Sequence, residues 1–241
     1  MRRMIIIAAA PVMLLLLGAA APAPSAGSGP SLTGSAMSLI VALTVLSLAP
    51  AILMTITSFV RIVVALSLLR TGFGAPGVPP NMVIVALALF LTLFVMKPTF
   101  DIAWTQGAAP YLAGSLTEAE AFKRTIEPFR TFMLANTREG DMRLFIDMAG
   151  TTPQSRADID LRTLIPAFLI SELKRAFEIG FLLLLPFLVI DLVVASVLMA
   201  LGLMMLPPAT ISLPAKLIFF VLVDGWALVV SSLVRSYAGM G

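Results

Sequence analysis

Two long apolar runs near the end of the chain dominate its pattern of hydrophobic and polar positions. They occupy residues 179–235 and are separated by the consecutive prolines Pro207 and Pro208. A membrane-crossing helix needs about 20 apolar residues, and both runs reach that length. Because proline breaks a helix interior, the pattern predicts a helical hairpin that reverses at the two prolines.

A second pair of apolar runs predicts an N-terminal helical hairpin over residues 36–100. The first run covers residues 36–60 and contains Pro50, which should kink or break it. Arg61 interrupts the pattern, and the turn-rich residues 72–80 are expected to form the hairpin tip. The second run begins at Asn81, and we expect it to end at Lys97 and Pro98.

Residues 101–162 carry many charges and the signals of ordinary soluble helices, which predicts an extramembrane helical region. Ser115 followed by Glu118 fits a capping box, and Gly150 is a plausible helix stop. Counting crossings places this region outside the cytoplasm. A C-terminal helical region, residues 163–241, should begin with a helix near Pro166 and has its hairpin tip at residues 203–210.

The first residues have the layout of a secretory signal. Arg2 and Arg3 precede an apolar run and then a stretch of small residues and prolines. We therefore expect a signal peptide and the start of a linker at residues 1–26, followed by a linker at residues 27–35. The alternative is an uncleaved first membrane helix.

Composition supports the membrane interpretation. Hydrophobic residues make up 59% and charged residues 12% of the chain, against about 25% charged in a soluble domain. The predicted fold class is therefore all-α, an integral membrane protein of long helical hairpins. The chain has no cysteine and no histidine, which weakens most enzyme classes. Removal of Arg2 and Arg3 leaves 16 − 2 = 14 basic against 13 acidic side chains, so the charge is no argument for nucleic-acid binding.

Charged residues inside the apolar runs are the candidate functional groups. An ionisable side chain within a membrane span costs about 2.5–3.5 kcal/mol on insertion scales unless a partner or water meets it. Five residues fall in or beside apolar runs: Arg61, Glu178, Asp191, Lys216 and Asp224. On a helix the spacing of Lys174 and Glu178 allows a pair on a solvated face.

Asp191 and Lys216 are predicted to lie at different depths within one hairpin. If the chain reverses at Pro207 and Pro208, Asp191 lies about eight residues deeper than Lys216, a mismatch of about 12 Å. The residue level with Asp191 is then near Asp224, a like charge. This difference in depth predicts an assembly in which Asp191 of one subunit meets Lys216 of the next; the alternative is that Lys216 snorkels to the surface.

The predicted tip of the closing hairpin contains Leu203, Met204 and Met205. Flexible apolar thioethers fill irregular gaps and re-pack easily. These side chains are ordinary apolar residues in one interpretation. In the other, several copies arranged in a ring would seal a central hole.

Long motifs in order along residues 40–240 give the chain a resemblance to the FliP family of flagellar type III export gates, relatives of the injectisome component SctR. The motifs are SFVRIVVALSLLR (58–70), PPNMVIVALALFLTLFVMKP (79–98), PFRTFMLANTREGDMRLF (128–145), IPAFLISELKRAFEIGF (165–181), PFLVIDLVVASVLMALGLMMLPPATISLPAKL (186–217) and FVLVDGW (220–226). The third motif resembles the flagellar branch more closely than the injectisome branch.

The resemblance implies a function and a set of partners. Family members form a ring-like helical gate, a pentamer joined by one FliR and several FliQ subunits, in the flagellar basal body at the bacterial inner membrane. The gate is part of the conduit for exported rod, hook and filament proteins, alongside other basal-body export proteins. The resemblance implies no enzyme activity, no cofactor and no metal. It also implies that much apolar surface packs against neighbouring subunits rather than lipid.

The resemblance also implies roles for individual residues. Asp191 and Lys216 match an acidic and a basic position that form an intersubunit pair in relatives. Met204 and Met205 match the last two of three consecutive methionines that form a gasket around the closed pore, and Leu203 stands where the first would be.

Two other function classes share some of these sequence features with a gate. A secondary transporter or channel also uses intramembrane charges and broken helices, but residues 36–100 and 163–235 show no convincing inverted repeat. An intramembrane aspartyl hydrolase would pair Asp191 with Asp224 as acid and base. The residues around both aspartates follow the gate pattern instead.

Overall fold

The structure, a computed structural model, describes residues 43–44, 47, 51–52, 54–75, 77–203 and 205–238. The predicted signal peptide and linker, Pro50 and the gasket residue Met204 lie outside these described residues.

Helices make up most of the described chain, and no strand occurs among the residues just given, which confirms the all-α prediction. We number the α-helices from Phe59. The described chain also contains a π-helical segment, Trp104–Ala108, and a short 3₁₀ helix, Arg156–Asp158. The α-helices are α1 (Phe59–Phe73), α2 (Asn81–Ala103), α3 (Ala109–Leu112), α4 (Glu118–Asn136), α5 (Glu139–Ala149), α6 (Leu161–Ala200), α7 (Pro208–Leu222) and α8 (Gly225–Ala238).

Two helical stretches of the described chain are long and apolar enough to cross a membrane. They are Asn81–Leu112 and Leu161–Ala200, and α7 with α8 would form a third if the pair is one span bent by 65°. The last charged residue before the apolar half of α6 is Glu178. Residues 179–200 of α6 then extend about 33 Å, which matches a hydrocarbon core about 30 Å thick.

Two prolines that were expected to mark helix boundaries lie inside helices instead. α2 continues through Pro98 to Ala103, and α6 begins at Leu161 rather than near Pro166. A proline removes one backbone hydrogen bond and tends to kink a helix. Both helices continue because buried residues on each side of the proline hold them, Met96 and Phe100 in α2 and Leu164 and Phe168 in α6.

The sequence predicted two helix ends between residues 101 and 162, and one of the two predictions is confirmed. The capping box that opens α4 is formed by Thr117 and Glu120, so the expected pair Ser115 and Glu118 was wrong. The Ser115 hydroxyl donates instead to the carbonyl of Pro110. Gly150 does end α5, with φ +62°, in the left-handed conformation that glycine adopts easily.

The described chain has two hydrophobic cores, and α6 contributes to both. One core lies among α1, α2, α6, α7 and α8 and includes Leu66 and Phe187; the other lies among α2, α4, α5 and the first half of α6 and includes Phe129 and Phe168. Helices α1 and α6 approach closely at Gly180, where an added Cβ would lie 2.3 Å from Leu68 Cδ1. The long helix therefore joins the charged half of the molecule to the apolar half.

Candidate functional site: buried ion pairs and the hairpin tip

Lys216 and Asp191 form an ion pair across the closing hairpin. Lys216 Nζ on α7 donates to Asp191 Oδ2 on α6 at 2.6 Å and to the carbonyl oxygen of Gly72 on α1 at 3.0 Å. The side chain of Lys216 is only 4% exposed, whereas that of Asp191 is 42% exposed. The buried ammonium group is thus satisfied by two oxygens, and the carboxylate keeps a face that is open to another group.

This pairing within one chain shows that the predicted difference in depth was wrong. The chain does not turn tightly at Pro207 and Pro208, because α6 already ends at Ala200 and a loop of seven residues leads to α7. Asp191 lies nine residues before the last residue of α6, and Lys216 lies eight residues after the first residue of α7. Their depths in the hairpin therefore differ by about 1.5 Å. The loop, and not the two prolines alone, sets the register of the two helices.

Asp224 lies at the break between α7 and α8. It is exposed, and its φ of +49° makes it the one non-glycine residue with positive φ among the residues described. At Gly225 an added Cβ would lie 2.3 Å from the Phe220 ring, so the close approach requires glycine. The break places Asp224 outside the interior of a helix. The residue beside Asp191 is Lys216, and not Asp224 as the sequence suggested.

Arg61 forms a second, fully buried ion pair. Its Nε donates to Glu172 Oε2 at 2.9 Å, a second guanidinium nitrogen contacts Glu172 Oε1, and both side chains are 0% exposed. Such two-point contact is the strongest geometry for an arginine and a carboxylate. Arg61 interrupts the apolar pattern of α1, and its positive charge is neutralised by a carboxylate on α6.

Three further groups complete the surroundings of this pair. The Tyr237 hydroxyl on α8 donates to Glu172 Oε2 at 2.5 Å, and the Arg61 guanidinium carbon lies 3.7 Å from the centre of the Tyr237 ring. Arg61 also donates to the Ser236 hydroxyl at 2.9 Å. Sequence reasoning singled out Arg61 but missed Glu172 and Tyr237, because neither the spacing nor the composition joins residues so far apart.

Glu178 and Lys174 have partners outside α6, so the expected pair between them was wrong. Arg138, the residue before α5, pairs with Glu178, and Lys174 pairs with the buried carboxylate of Asp141 on α5. The Ser171 hydroxyl also donates to Asp141, at 2.8 Å. A helix presents more than one face, and here α5 and the residue that precedes it supply closer partners than the next turn of α6.

These contacts shift the pKa values of two groups that lie outside the membrane-spanning helices, Asp141 and Arg138. Burial opposes ionisation of Asp141, but the hydrogen bonds from Lys174 and Ser171 outweigh it and hold the pKa of Asp141 below its ordinary value. The hydrogen bond to Glu178 raises the pKa of Arg138. Both shifts favour the charged forms, so the contacts between α5 and α6 are ionic at neutral pH.

The hairpin tip exposes apolar side chains. Met205 is 98% exposed, and Leu201, Leu203 and Leu206 are also exposed. Gly202, with φ +73°, ends α6, and the hydrogen bonds from Gly202 N to Met199 O and from Leu203 N to Leu198 O close the Schellman motif that caps the helix. The tip is therefore built on a defined helix end, and it presents an apolar surface that other groups can cover.

These features define an all-helical membrane protein whose apolar helices are joined by buried ion pairs and end in an exposed apolar tip. Comparison with known families matches residues 42–233 to the FliP family. The chain belongs to the FliP family.

Relatives from several bacteria match most of the chain. The flagellar biosynthetic protein FliP of Agrobacterium fabrum is 56% identical over 198 residues, which cover 81% of each protein. The protein of the same name from Caulobacter vibrioides is 56% identical over 212 residues, covering 88% of this chain and 80% of the relative. That of Bacillus subtilis is 49% identical over 211 residues, covering 87% of this chain and 96% of the relative.

Proposed function

We propose that this chain is a core subunit of the flagellar type III protein export gate and forms part of the conduit for rod, hook and filament proteins. The observation that carries the proposal is the FliP family match over residues 42–233. The relatives described above are all named flagellar biosynthetic proteins, which favours the flagellar gate over the injectisome gate.

The gate is proposed to be a homo-oligomer, a pentamer that also contains FliQ and FliR, in the bacterial inner membrane at the flagellar basal body. Exposed apolar surface supports an assembly. Only 11% of the most apolar stretch of α6 is buried within the chain, compared with 39% for the most apolar stretch of Asn81–Leu112. Subunits or lipid must cover that surface, because apolar area exposed to water is costly.

At the hairpin tip, we assign Leu203, Met204 and Met205 to the apolar gasket of the closed gate. The exposure of Leu203 and Met205 supports this role. Copies of such a tip around a central axis would close the passage without offering hydrogen-bond partners to water or ions.

Asp191 is proposed to contribute to contacts between subunits. Its carboxylate binds Lys216 of its own chain and remains 42% exposed, so a neighbouring subunit can reach it. A half-exposed carboxylate beside apolar residues gains from a second partner. We propose no catalytic role for Asp191 or Asp224, since a conduit needs no covalent step.

The proposed function is tested by secretion. Hook and filament proteins are measured in the culture medium of a strain that lacks the gene and of the same strain with the gene restored on a plasmid. Loss of both proteins in the deletion strain and their return on complementation is expected. Unchanged secretion in the deletion strain would overturn the proposal, and loss of injectisome substrates alone would move the chain to the injectisome branch.

A further inference from the structure

The carboxylate of Asp224 lies within an exposed apolar patch at the break between α7 and α8. Val221 and Leu222 precede it and are 77% and 80% exposed, and Trp226 and Leu228, which follow it, are also exposed. Lipid or another protein chain must cover such a patch, because apolar area exposed to water is costly. An ionised carboxylate among lipid tails is costly too unless a partner meets it. The patch therefore fits a protein partner that supplies a cation.

The described part of the chain does not supply that cation. Within it, the side chain of Asp224 takes part in no ion pair and no hydrogen bond. The other acidic groups of the apolar helices do have basic partners. Glu172 pairs with Arg61, and Asp191 pairs with Lys216.

Arg70, in the last turn of α1, is a cation in the same situation. It is half-buried, and among the residues that the structure describes its side chain forms no ion pair and no hydrogen bond. Residues 1–53, most of which lie outside the described ranges, contain no aspartate or glutamate. A guanidinium group stays protonated in proteins, so Arg70 also requires an anion.

Helices α1 and α7 run in opposite directions along α6. Arg61 near the start of α1 pairs with Glu172, and an added Cβ at Gly72 near its end would lie 2.7 Å from the Phe187 ring. Helix α1 is therefore parallel to α6. Helix α7 returns along α6 after the hairpin loop, so it is antiparallel to both.

These directions place Arg70 and Asp224 at the same depth. The rings of Phe73 on α1 and Phe220 on α7 lie 5.1 Å apart and define a common level. Arg70 comes three residues before Phe73, about 4.5 Å along α1, and Asp224 comes four residues after Phe220, about 6 Å along α7 in the same direction. The two depths differ by about 1.5 Å.

Depth also separates Arg70 from the other cation near this surface. Arg235 is exposed in the last turn of α8. It lies eleven residues after Asp224, which is about 16 Å along a helix. Arg70 is thus the cation of the apolar helices that is level with Asp224.

We propose that Arg70 of one copy of this chain forms an ion pair with Asp224 of the neighbouring copy. The proposal rests on the homo-oligomer described under the proposed function. In a ring, each subunit is related to the next by a rotation, so the groups that meet lie at equal heights on different parts of the subunit. Arg70 is on α1 and Asp224 is between α7 and α8, and α1 has little contact with α7. The neighbouring copy then covers Val221 and Leu222.

Cross-linking between copies tests the geometry. The chain has no cysteine, so introduced cysteines are the only thiols. Thr71→Cys and Val223→Cys place thiols at exposed positions beside Arg70 and Asp224 and leave both charges in place. The two variants, each with its own tag, are produced together and treated in membranes with a short bifunctional thiol reagent. Such a reagent is needed because a disulfide cannot join Cα atoms more than about 7 Å apart.

We expect a cross-linked dimer that carries both tags. Each variant produced alone is a control and should give no dimer. Val223→Cys produced with Ser232→Cys is the matched control for depth, because Ser232 is exposed one turn before Arg235. This control pair should also give no dimer.

A double-mutant cycle tests the charges. The amount of assembled complex extracted from membranes is compared for Arg70→Gln, Asp224→Asn and the double variant. Each single substitution leaves one charge without its partner, so we expect the yield to fall about ten-fold. The double variant removes both charges and should lower the yield no further, since paired groups do not act independently. Asparagine tolerates positive φ, so Asp224→Asn keeps the backbone at the break.

Arg162→Gln, at an exposed arginine near the start of α6, is the control for the cycle and should leave the yield unchanged. Thermal unfolding checks that each variant is folded. If Arg70→Gln does not fold, the cross-linking measurement still decides, because it keeps both charges.

Three results would overturn the proposal. One is a cross-link that forms only when both cysteines are on the same chain. Another is equal cross-linking of Val223→Cys to Thr71→Cys and to Ser232→Cys. The third is a double variant whose yield falls by the product of the two single effects.

The outcome is separate from that of the export role. A two-tag dimer in a strain whose hook protein secretion does not need this gene would keep the ion pair and overturn the export role. Secretion that depends on the gene, together with an assembled complex that gives no two-tag dimer, would do the reverse.

Discussion

Arg61 and Glu172, 111 residues apart in the chain, form a fully buried ion pair between α1 and α6. Tyr237 from α8 contacts both partners, through its hydroxyl group and its ring. Burial of two charges is costly, and their attraction compensates only when the remaining donors and acceptors are also satisfied. The contacts from Tyr237 and Ser236 meet that condition, so three helices are held together at one point.

Glu172→Gln should therefore destabilise the chain. The substitution leaves the Arg61 charge buried and uncompensated, which costs about 3–5 kcal/mol for pairs of this kind. The measurement is denaturant or thermal unfolding of the full-length protein in detergent. Glu139→Gln is the control, because Glu139 pairs with Arg143 in an exposed position and its loss should change stability little. Equal stability of the two variants would show that the buried pair is not important for folding.

Gly107→Ala should disturb the packing of the π-helical segment against α4. An added Cβ at Gly107 would lie 2.0 Å from Thr125 Oγ1 and 2.9 Å from the Thr125 backbone nitrogen, so backbone must move. Overpacking of this kind costs about 1–3 kcal/mol. Gly140→Ala is the matched control, since nothing lies within 4 Å of its added Cβ. Unfolding measurements should rank Gly107→Ala below the unaltered chain and Gly140→Ala level with it or slightly above.

The contact between α5 and α6 should weaken in acid. The pKa of Asp141 is lower in the folded chain than its ordinary value of 3.8, so its ionised form stabilises folding above that pH. This contribution is lost as pH falls through the lowered pKa. The stability difference between the unaltered chain and Asp141→Asn should therefore be largest at neutral pH and shrink below about pH 3.8. The exposed residue Asp147 supplies the control Asp147→Asn. A difference that does not depend on pH would contradict the ionic contact.

Lys216→Ala should reduce the yield of the assembled gate. The substitution removes the ammonium group from Asp191 and from the Gly72 carbonyl, and leaves a carboxylate among apolar helices. The measurement is the amount of complex extracted from membranes together with secretion of hook protein. Lys97→Ala, which breaks an exposed pair with Asp101, should leave both unchanged. Normal complex yield and full secretion with Lys216→Ala would contradict the importance of the pair.

Replacement of Met204 and Met205 by alanine should allow small ions to leak through the gate while assembly is spared. Shorter side chains fill a central opening less completely, and Met205 is almost fully exposed, so it packs little against the described part of its own chain. The measurement is membrane conductance in cells that contain the variant gate. Met148→Ala, at an exposed methionine on α5, is the control. Unchanged conductance with the variant gate present would count against the gasket.

The sequence by itself determined the class of protein and the local ends of several helices. Apolar runs of membrane-spanning length and a small share of charged residues predicted an all-α membrane protein. Pro207 and Pro208 predicted a chain reversal, which the structure has in the seven-residue loop that precedes α7. Gly150 predicted the end of α5, and the structure has that end. These features could be predicted because they depend on neighbouring residues: the length of an apolar run, a proline without an N–H, and a glycine that adopts positive φ.

Only the tertiary structure decided which charges meet. Sequence spacing suggested Lys174 with Glu178 and separated Lys216 from Asp191, but packing pairs Lys174 with Asp141 and brings Lys216 to Asp191. The partner of Arg61 comes from a helix 111 residues away. Ion pairs depend on distances of a few ångströms between side chains, and the loop that connects two helices sets those distances. A shift of one helical turn, about 5.4 Å, is enough to exchange one partner for another.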